Sequence, residues 1–323
     1  KLLCKFLHNS FCLYKRAQTQ LNKRHPTYLL LCVCLLVFSA RASAQDLDPR
    51  AYARVPVDAS AILVGLGYTY GGVLTDPTSP IQDLEATVET ASLGVGRTFS
   101  LFGLTSQAFV VMPYSLAQIS GKLVGEDTST NRSGLGDLRL RLSTLIIGAP
   151  ALSAEEFAKY SSHTVVGLSL LVIAPTGQNY TSKLINIGTN RWSFKPEIGI
   201  SHKVDNWLLD LYAAIWFFTN NNTFYPGTRV RSQDPLAALQ GHVSYNFTPQ
   251  MWAALDFTYY TGGSTSIDDV YNDDRQNNSR IGATFNFPIT KQSSIKLAYS
   301  TGAIIRVGAN FSTVSLAWQT MFF

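Results

Sequence analysis

Two residue types that could act together in hydrolysis stand one position apart in the second half of the chain. In His242-Val-Ser244, with Asn246 two positions further on, an extended strand places an imidazole, a hydroxyl and an amide on one face. An imidazole beside a serine can take the hydroxyl proton and create a nucleophile. To reach an acyl chain the pair would need the apolar face, which Val243 and Tyr245 occupy. The pattern favours a structural role for His242, and a lipid hydrolase using His242 and Ser244 is the alternative.

Charged residues share the opposite face of several segments. In Leu138-Arg-Leu-Arg-Leu142, three leucines lie on one face of a strand and two arginines on the other. Basic side chains that line a water-filled interior favour anions, so one interpretation is a path that orients a polar or weakly anionic solute. The other is a network of ion pairs that fills a narrow interior and fixes strand register. The predicted inward set is Asp137, Arg139, Arg141, Arg191, Lys195, Glu197, Asp210, His242, Asp256, Arg280 and Lys296.

The elements that would position these residues are strands. Alternation of apolar and polar residues predicts twelve strands near 59–70, 87–99, 106–120, 135–147, 163–174, 191–203, 207–219, 234–247, 251–262, 278–288, 294–302 and 312–322. Long polar loops are predicted at 71–86, 121–134, 175–190, 220–233 and 263–277, with a shorter one at 303–311. Tight turns at 100–103, 204–206, 248–250 and 289–293 alternate with them. The connection 148–162 differs, because Ser153-Ala-Glu-Glu-Phe157 begins like a capped helix.

Long loops at one end and tight turns at the other are typical of a barrel in the bacterial outer membrane. A charge that faced lipid would cost a few kcal/mol, so the charged face must be the inner one. Aromatic residues near strand ends would form the interfacial girdles: Tyr68, Tyr70, Trp192, Trp207, Trp216, Tyr259, Tyr299 and Phe322. The sequence therefore predicts an all-β fold, a transmembrane antiparallel β-barrel of about 12 strands over 58–323. Both termini would be periplasmic, and the long loops would lie outside the cell.

The first 44 residues have the composition of an export leader. Lys23 and Arg24 precede an eleven-residue apolar run, 28–38, and Ala42-Ser-Ala44 supplies a cleavage pattern. The run is too short for a membrane span of about 20 residues. Because the first methionine is Met112, we expect residues 1–21 to lie upstream of the natural start codon. Residues 45–57 would then form a periplasmic N-terminal segment.

Composition excludes several classes of function. All four cysteines lie before residue 45, so the exported chain has no disulfide or thiol chemistry. Seven of the 26 basic residues and none of the 21 acidic residues lie in 1–44, which leaves a formal charge of −2 and predicts no nucleic-acid partner. The acidic run 268–274 lacks the spacing of an EF-hand, so a solvated loop is favoured over a calcium site. We predict no metal and no cofactor.

Six strings taken in order resemble the meta-pathway of phenol degradation family of outer-membrane transporter-like proteins. They are 47–52 (LDPRAY), 134–141 (GLGDLRLR), 184–197 (LINIGTNRWSFKPE), 259–263 (YYTGG), 272–280 (NDDRQNNSR) and 296–302 (KLAYSTG). The resemblance covers nearly all of 46–323. It implies an outer-membrane barrel with solute uptake and supplies no catalytic residues.

The predicted function is a channel for passive uptake of small aromatic or hydrophobic solutes through a charged interior. Its partners would be the solute, outer-membrane lipid and the barrel-assembly machinery, which recognises a terminal aromatic residue such as Phe323. The apolar face of the last strand runs through Phe322, however, so Phe323 is one residue out of the usual register. A barrel with only a structural role is a further alternative.

Overall fold

The computed structural model describes residues 48–74, 81–123 and 126–323, so the predicted leader lies outside the described residues. Twelve antiparallel strands close into a barrel, which confirms the predicted fold. The wall is formed by β1 (Ser60–Leu74), β2 (Ile81–Leu101), β3 (Leu104–Leu123), β5 (Leu138–Ile147), β6 (Thr164–Ala174), β7 (Ser193–Val204), β8 (Trp207–Phe218), β11 (Leu236–Asn246), β12 (Trp252–Gly262), β15 (Gln276–Pro288), β16 (Ser293–Ile304) and β17 (Gly308–Phe322). Each pairs with its neighbours in the chain order of the wall, and β1 closes the ring against β17.

The two ends of the barrel differ in their connections. One end, here called the turn end, contains the β2–β3 hairpin, in which Phe102 and Gly103 both have positive φ (52° and 77°). Such a turn matches the twist of its strands. The first pair of β1 and β17, Ser60 with Phe322, lies at the same end. So does the predicted short helix α1 (Ala154–Lys159), whose capping box joins Ser153 and Glu156.

The opposite end, here called the loop end, contains more strand than the sequence predicts. Four short strands within the predicted loops 220–233 and 263–277 form a second sheet: β9 (Asn221–Phe224), β10 (Arg229–Gln233), β13 (Thr265–Ile267) and β14 (Val270–Tyr271). The predicted loops 71–86 and 121–134 are also largely strand, because the β2–β3 hairpin continues to the pair Ile81–Leu123 and β4 (Glu126–Leu135) extends it. These strands are short or mostly polar, so they lack the regular alternation on which the prediction depends.

Burial alternates along the wall as the sequence predicts. In β8, Asp210, Tyr212 and Ala214 are buried, while Leu209 and Leu211 between them are exposed. Trp216 is an exception to the predicted girdle. It shares the inward face of β8, and Lys195 Nζ lies 5.3 Å from its ring centre. No helix among the described residues is long and apolar enough to cross a membrane.

The register of β5 can be tested at Leu140. Its side chain faces outward and is 36% exposed, so Leu140→Arg would put a charge into lipid. We expect assembly to be destabilised by about 2–4 kcal/mol if the site lies near the bilayer midplane. The measurement is the free energy of unfolding in bilayers, with heat-modifiable gel migration as the assay of assembly. Leu140→Phe, which keeps the site apolar, is the control. Normal assembly of the arginine variant would show that the register is wrong.

Candidate functional site

The interior of the barrel contains a segment that is not part of its wall. Residues 48–59, here called the entry segment, run from the barrel interior to the start of β1 at the turn end. The sequence assigns most of this segment to the periplasm. The structure instead places Tyr52 inside the barrel with 0% of its surface exposed. Because wall side chains alone do not fill the space within twelve strands, a stretch of chain fits there.

Tyr52 is the most deeply held residue of the entry segment. Its hydroxyl donates to Glu197 Oε1 at 2.9 Å and shares a hydrogen bond with Ser169 Oγ at 3.0 Å. Its ring packs edge-on against Tyr212, with ring centres 5.0 Å apart. Burial and the carboxylate of Glu197 raise the pKa of the Tyr52 phenol, so the hydroxyl stays protonated and can donate.

Two glycines make room for the Tyr52 ring. Gly167 in β6 and Gly199 in β7 are directly paired across the two strands, and both have inward Cβ positions. A Cβ added to Gly167 or to Gly199 would lie 2.1 Å from a carbon of the Tyr52 ring. At Gly199 it would also lie 2.6 Å from the ring of Tyr212. This glycine pair is therefore a socket, and any larger residue would displace the ring.

Arg50 anchors the entry segment to a second part of the wall. Its backbone N–H donates to Asp210 Oδ2 at 3.2 Å, and its Nη2 donates to Asn246 Oδ1 at 2.8 Å. The guanidinium carbon lies 4.2 Å from the ring centre of Trp252, a cation–π contact. Three neighbouring strands, β8, β11 and β12, thus contact this one residue.

Asp48 spans the interior. Its carboxylate lies 3.1 Å from Lys296 Nζ and 3.6 Å from Arg141 Nη1. These partners belong to β16 and β5, which are five strands apart along one arc of the barrel and seven along the other. Arg141 also pairs with Glu197 Oε1 at 3.0 Å, and Glu197 Oε2 lies 3.2 Å from Lys195 Nζ. A continuous chain of charges therefore connects opposite walls through the entry segment.

His242 and Asp256 form a buried pair beside this network. Nδ1 of His242 lies 2.7 Å from Asp256 Oδ1, and Thr284 Oγ1 donates to Asp256 Oδ2 at 2.8 Å. Ser244 is 0% exposed and faces the interior, away from lipid. His242 Nε2 and Ser244 Oγ each have no hydrogen-bond partner among the described residues, so they are not bonded to one another. The base and the nucleophile of the alternative hydrolase are not assembled.

Two predicted inward residues hold loops at the loop end. Asp137 Oδ1 accepts from Gly177 N at 2.9 Å, and Asp137 Oδ2 accepts from Thr189 N at 2.8 Å, which fastens the segment 175–190 to the wall. Arg191 Nη2 donates to Gln233 Oε1 at 2.5 Å, and its guanidinium carbon lies 4.4 Å from the ring centre of Phe218. Burial lowers the pKa of Arg191 to about 10, so the side chain remains cationic at neutral pH. Their partners show that both residues organise loops.

The two remaining predicted residues, Arg139 and Arg280, line a cavity of about 260 Å³. It lies on the loop-end side of the entry segment, because Arg139 precedes Arg141 on β5 and Arg280 lies near the loop-end start of β15. Here it is called the loop-end cavity. The acidic run near it is engaged locally: Asp274 accepts from Thr265 N at 2.7 Å, and Asp273 pairs with Arg306 at 2.8 Å. No group of three potential metal ligands occurs among the described residues.

Sequence reasoning missed Asp48, Arg50, Tyr52 and the glycine socket. The entry segment has no periodicity, so nothing in its own pattern indicates burial. Two signals were available. Gly167 and Gly199 occupy inward positions of otherwise regular strands, where glycine indicates a close approach by another group. Asp48, Arg50 and Tyr52 also share the first of the strings that resemble a known family.

Comparison with known proteins supports the architecture. The solved COG4313 outer membrane channel from Pseudomonas putida F1 is 21% identical, with a TM-score of 0.73, over 86% of this chain and 100% of that one. At this identity the likeness establishes the fold. The β domain of the Bordetella autotransporter BrkA is 12% identical, with a TM-score of 0.49, over 82% of this chain and 100% of that one. A Pseudomonas aeruginosa FadL homologue is 10% identical, with a TM-score of 0.41, over 88% and 96%.

No curated protein matches the chain. A family model does match, over residues 65–318, which is well over half of the sequence. The match confirms the resemblance inferred from the six strings. The chain belongs to the family described as "Putative MetA-pathway of phenol degradation".

Proposed function

We propose that the protein is an outer-membrane channel for passive uptake of small aromatic or otherwise hydrophobic solutes, and that the entry segment is its plug. The observation on which this depends is that part of the entry segment lies inside the barrel, where Tyr52 is 0% exposed. Tyr52, Arg50 and Asp48 contact inward side chains of the wall, on β6 to β8, β11, β12, β5 and β16, and so lie across the interior. A barrel with only a structural role would not need the entry segment inside it.

The solute path follows from the inner face. From the loop end inward, a solute would meet Arg139 and Arg280, then Arg141, and then His242, Asp210 and Lys296 nearer the turn end. The family description, which names phenol degradation, supports a link to aromatic compounds, and the likeness to the P. putida outer membrane channel supports a channel. Outer-membrane location, cleavage after residue 44 and recognition of Phe323 by the assembly machinery belong to the same proposal.

A lipid hydrolase is the weaker alternative. It would need Ser244 at the lipid face, next to an acyl chain, whereas Ser244 and His242 are 0% and 1% exposed and face inward. The Asp256 carboxylate orients His242, but it also satisfies Thr284, which fits a structural hydrogen-bond network. We therefore assign His242 and Asp256 to the polar lining of the interior.

The plug can be tested by its removal. In a variant that lacks residues 48–57, we expect arabinose to enter proteoliposomes much faster than with the full chain, because the wall contacts of the entry segment are then open to water. Liposome swelling measures the rate, and heat-modifiable migration shows that the barrel has assembled. Protein-free liposomes give the background. Equal swelling for the two proteins would contradict the plug, and swelling at background for both would contradict the channel.

A single methyl group should loosen the same plug. Gly199→Ala forces its Cβ against the Tyr52 ring, and overpacking of this kind costs about 1–3 kcal/mol, a shift of roughly 5- to 150-fold in an equilibrium constant. We expect faster swelling and faster proteolysis within residues 48–59. Gly241→Ala is the matched control, because nothing lies within 4 Å of its added Cβ.

A double variant shows whether Gly199 acts through Tyr52. With Tyr52→Ala already present, adding Gly199→Ala should change the swelling rate much less than it does in the full chain, since only the ring of Tyr212 then lies close to the added Cβ. Additive effects of the two substitutions would mean that Gly199 acts on the wall and not on the socket.

A further inference from the structure

The loop-end cavity combines apolar walls with positive charge. Trp216, Leu171, Leu236 and Ile305 contribute to its lining, and Arg139 and Arg280 add two guanidinium groups from different strands. None of the described residues that line it is Asp or Glu. The cavity therefore has an excess positive charge beside surfaces that exclude water.

Arg280 lacks the partners that a buried cation requires. The residue is 2% exposed, and its Nη2 donates to Phe311 O at 2.8 Å and to Ser300 Oγ at 3.3 Å. Its Nε and Nη1 have no hydrogen-bond partner among the described residues. No carboxylate of the described chain forms an ion pair with it, unlike Arg141. A buried charge without a counter-charge is costly, so these N–H groups suit a bound anion.

The volume and walls specify the rest of the ligand. At about 260 Å³, the cavity is larger than the cavity of about 150 Å³ that is known to hold benzene in another protein. It can therefore accept one substituted ring. An indole and aliphatic side chains are good surfaces for the faces and edges of such a ring, while a carboxylate is a strong acceptor for a guanidinium.

We propose that the loop-end cavity binds a monocyclic aromatic anion, with its charged group on Arg280 and its ring against Trp216 and Leu171. This inference rests on the proposed function and deepens it, because it names the class of the solute and a site on its path where it binds. The fixed position of Arg280, held by Phe311 O and Ser300 Oγ, orients the charged group. Arg139 lies on the opposite wall of the cavity and also attracts the anion. It forms no ion pair with a carboxylate among the described residues.

Calorimetry on the full-length protein in detergent tests the ligand class, with benzoate, acetate and benzylammonium compared at constant ionic strength. Benzoate should bind. Acetate should bind at least about tenfold more weakly, because it lacks the ring. Benzylammonium, a cation of similar size, should not bind measurably. Equal affinity for benzoate and acetate would mean a simple anion site, and equal affinity for benzylammonium would mean a merely apolar pocket; either result overturns the proposal.

Variants locate the site. Arg280→Gln should weaken benzoate binding at least about tenfold, since it removes a charged hydrogen bond. Arg229→Gln removes the same charge from the second sheet, where Arg229 is 56% exposed and lies near Asp268, and should leave the affinity unchanged. If Arg280→Gln does not assemble, the affinity for benzoate is measured in Arg139→Gln and Trp216→Leu, where we expect it to be lower. Wild-type affinity in both variants overturns the proposal.

The binding assay and the swelling assay can fail separately. Benzoate that does not bind a barrel that passes arabinose refutes the aromatic-anion site and leaves the channel in place. Benzoate that binds a barrel with no arabinose flux, with or without residues 48–57, refutes the channel instead.

Discussion

A closed ring of strands lets the backbone donors and acceptors of the wall pair with one another, and this requirement governs the rest of the molecule. In lipid an unpaired backbone group costs several kcal/mol, so the chain must close on itself. Once β1 pairs with β17, each strand must send alternate side chains outward to lipid and inward. Charged residues are then confined to the inner face, where they need water or one another.

Inner charges in this barrel are mostly compensated in pairs and chains. Glu197 lies between Arg141 and Lys195, Asp256 faces His242, and Asp48 of the entry segment joins Arg141 to Lys296. The functional and the structural interpretations of the inward charges therefore apply at different depths. Charged residues at the middle and the turn end form ion pairs and hydrogen bonds with the entry segment. Arg280 at the loop end has no acidic partner among the described residues.

The sequence predicts the strands that face lipid, because lipid on one side requires apolar residues at every second position. The alternation of Leu140 with Arg139 and Arg141 predicts β5 and its faces, and the same signal predicts the other strands of the wall. Where lipid contact ends, the signal ends too. The strand β4 is almost entirely polar, and β9, β10, β13 and β14 have only two to five residues each, too few to show a period, so the sequence predicts loops there.

The candidate site was predictable only in part, for a different reason. A wall residue such as Glu197 reveals its inward position through its neighbours in the chain. Tyr52 is buried by its contacts with Ser169 and Glu197, which lie more than a hundred positions away in the chain. A single sequence does not show that these residues meet. Trp216 is a different case, because its parity on β8 indicates the inward face, whereas its place near a strand end suggested the girdle.

The difference between wall and plug also indicates which part of the molecule can move. Each wall strand is held by ladders of backbone hydrogen bonds on both sides, and opening one in lipid would leave many groups unpaired. The first part of the entry segment is held by contacts of Asp48, Arg50 and Tyr52, each with a net value of about 0.5–3 kcal/mol, and water can replace these partners. Nearer β1 the segment is held more firmly, because Val57 donates its backbone N–H to Leu152 O, and Asp58 and Ala59 exchange backbone hydrogen bonds with Thr98. Detachment of residues 48–55 therefore costs less than the opening of a wall ladder. If residues 48–55 leave as proposed, the barrel opens along its axis without unfolding a wall strand. The Tyr52 ring must then leave its place beside Gly167 and Gly199, and the contacts of Asp48 and Arg50 must break with it.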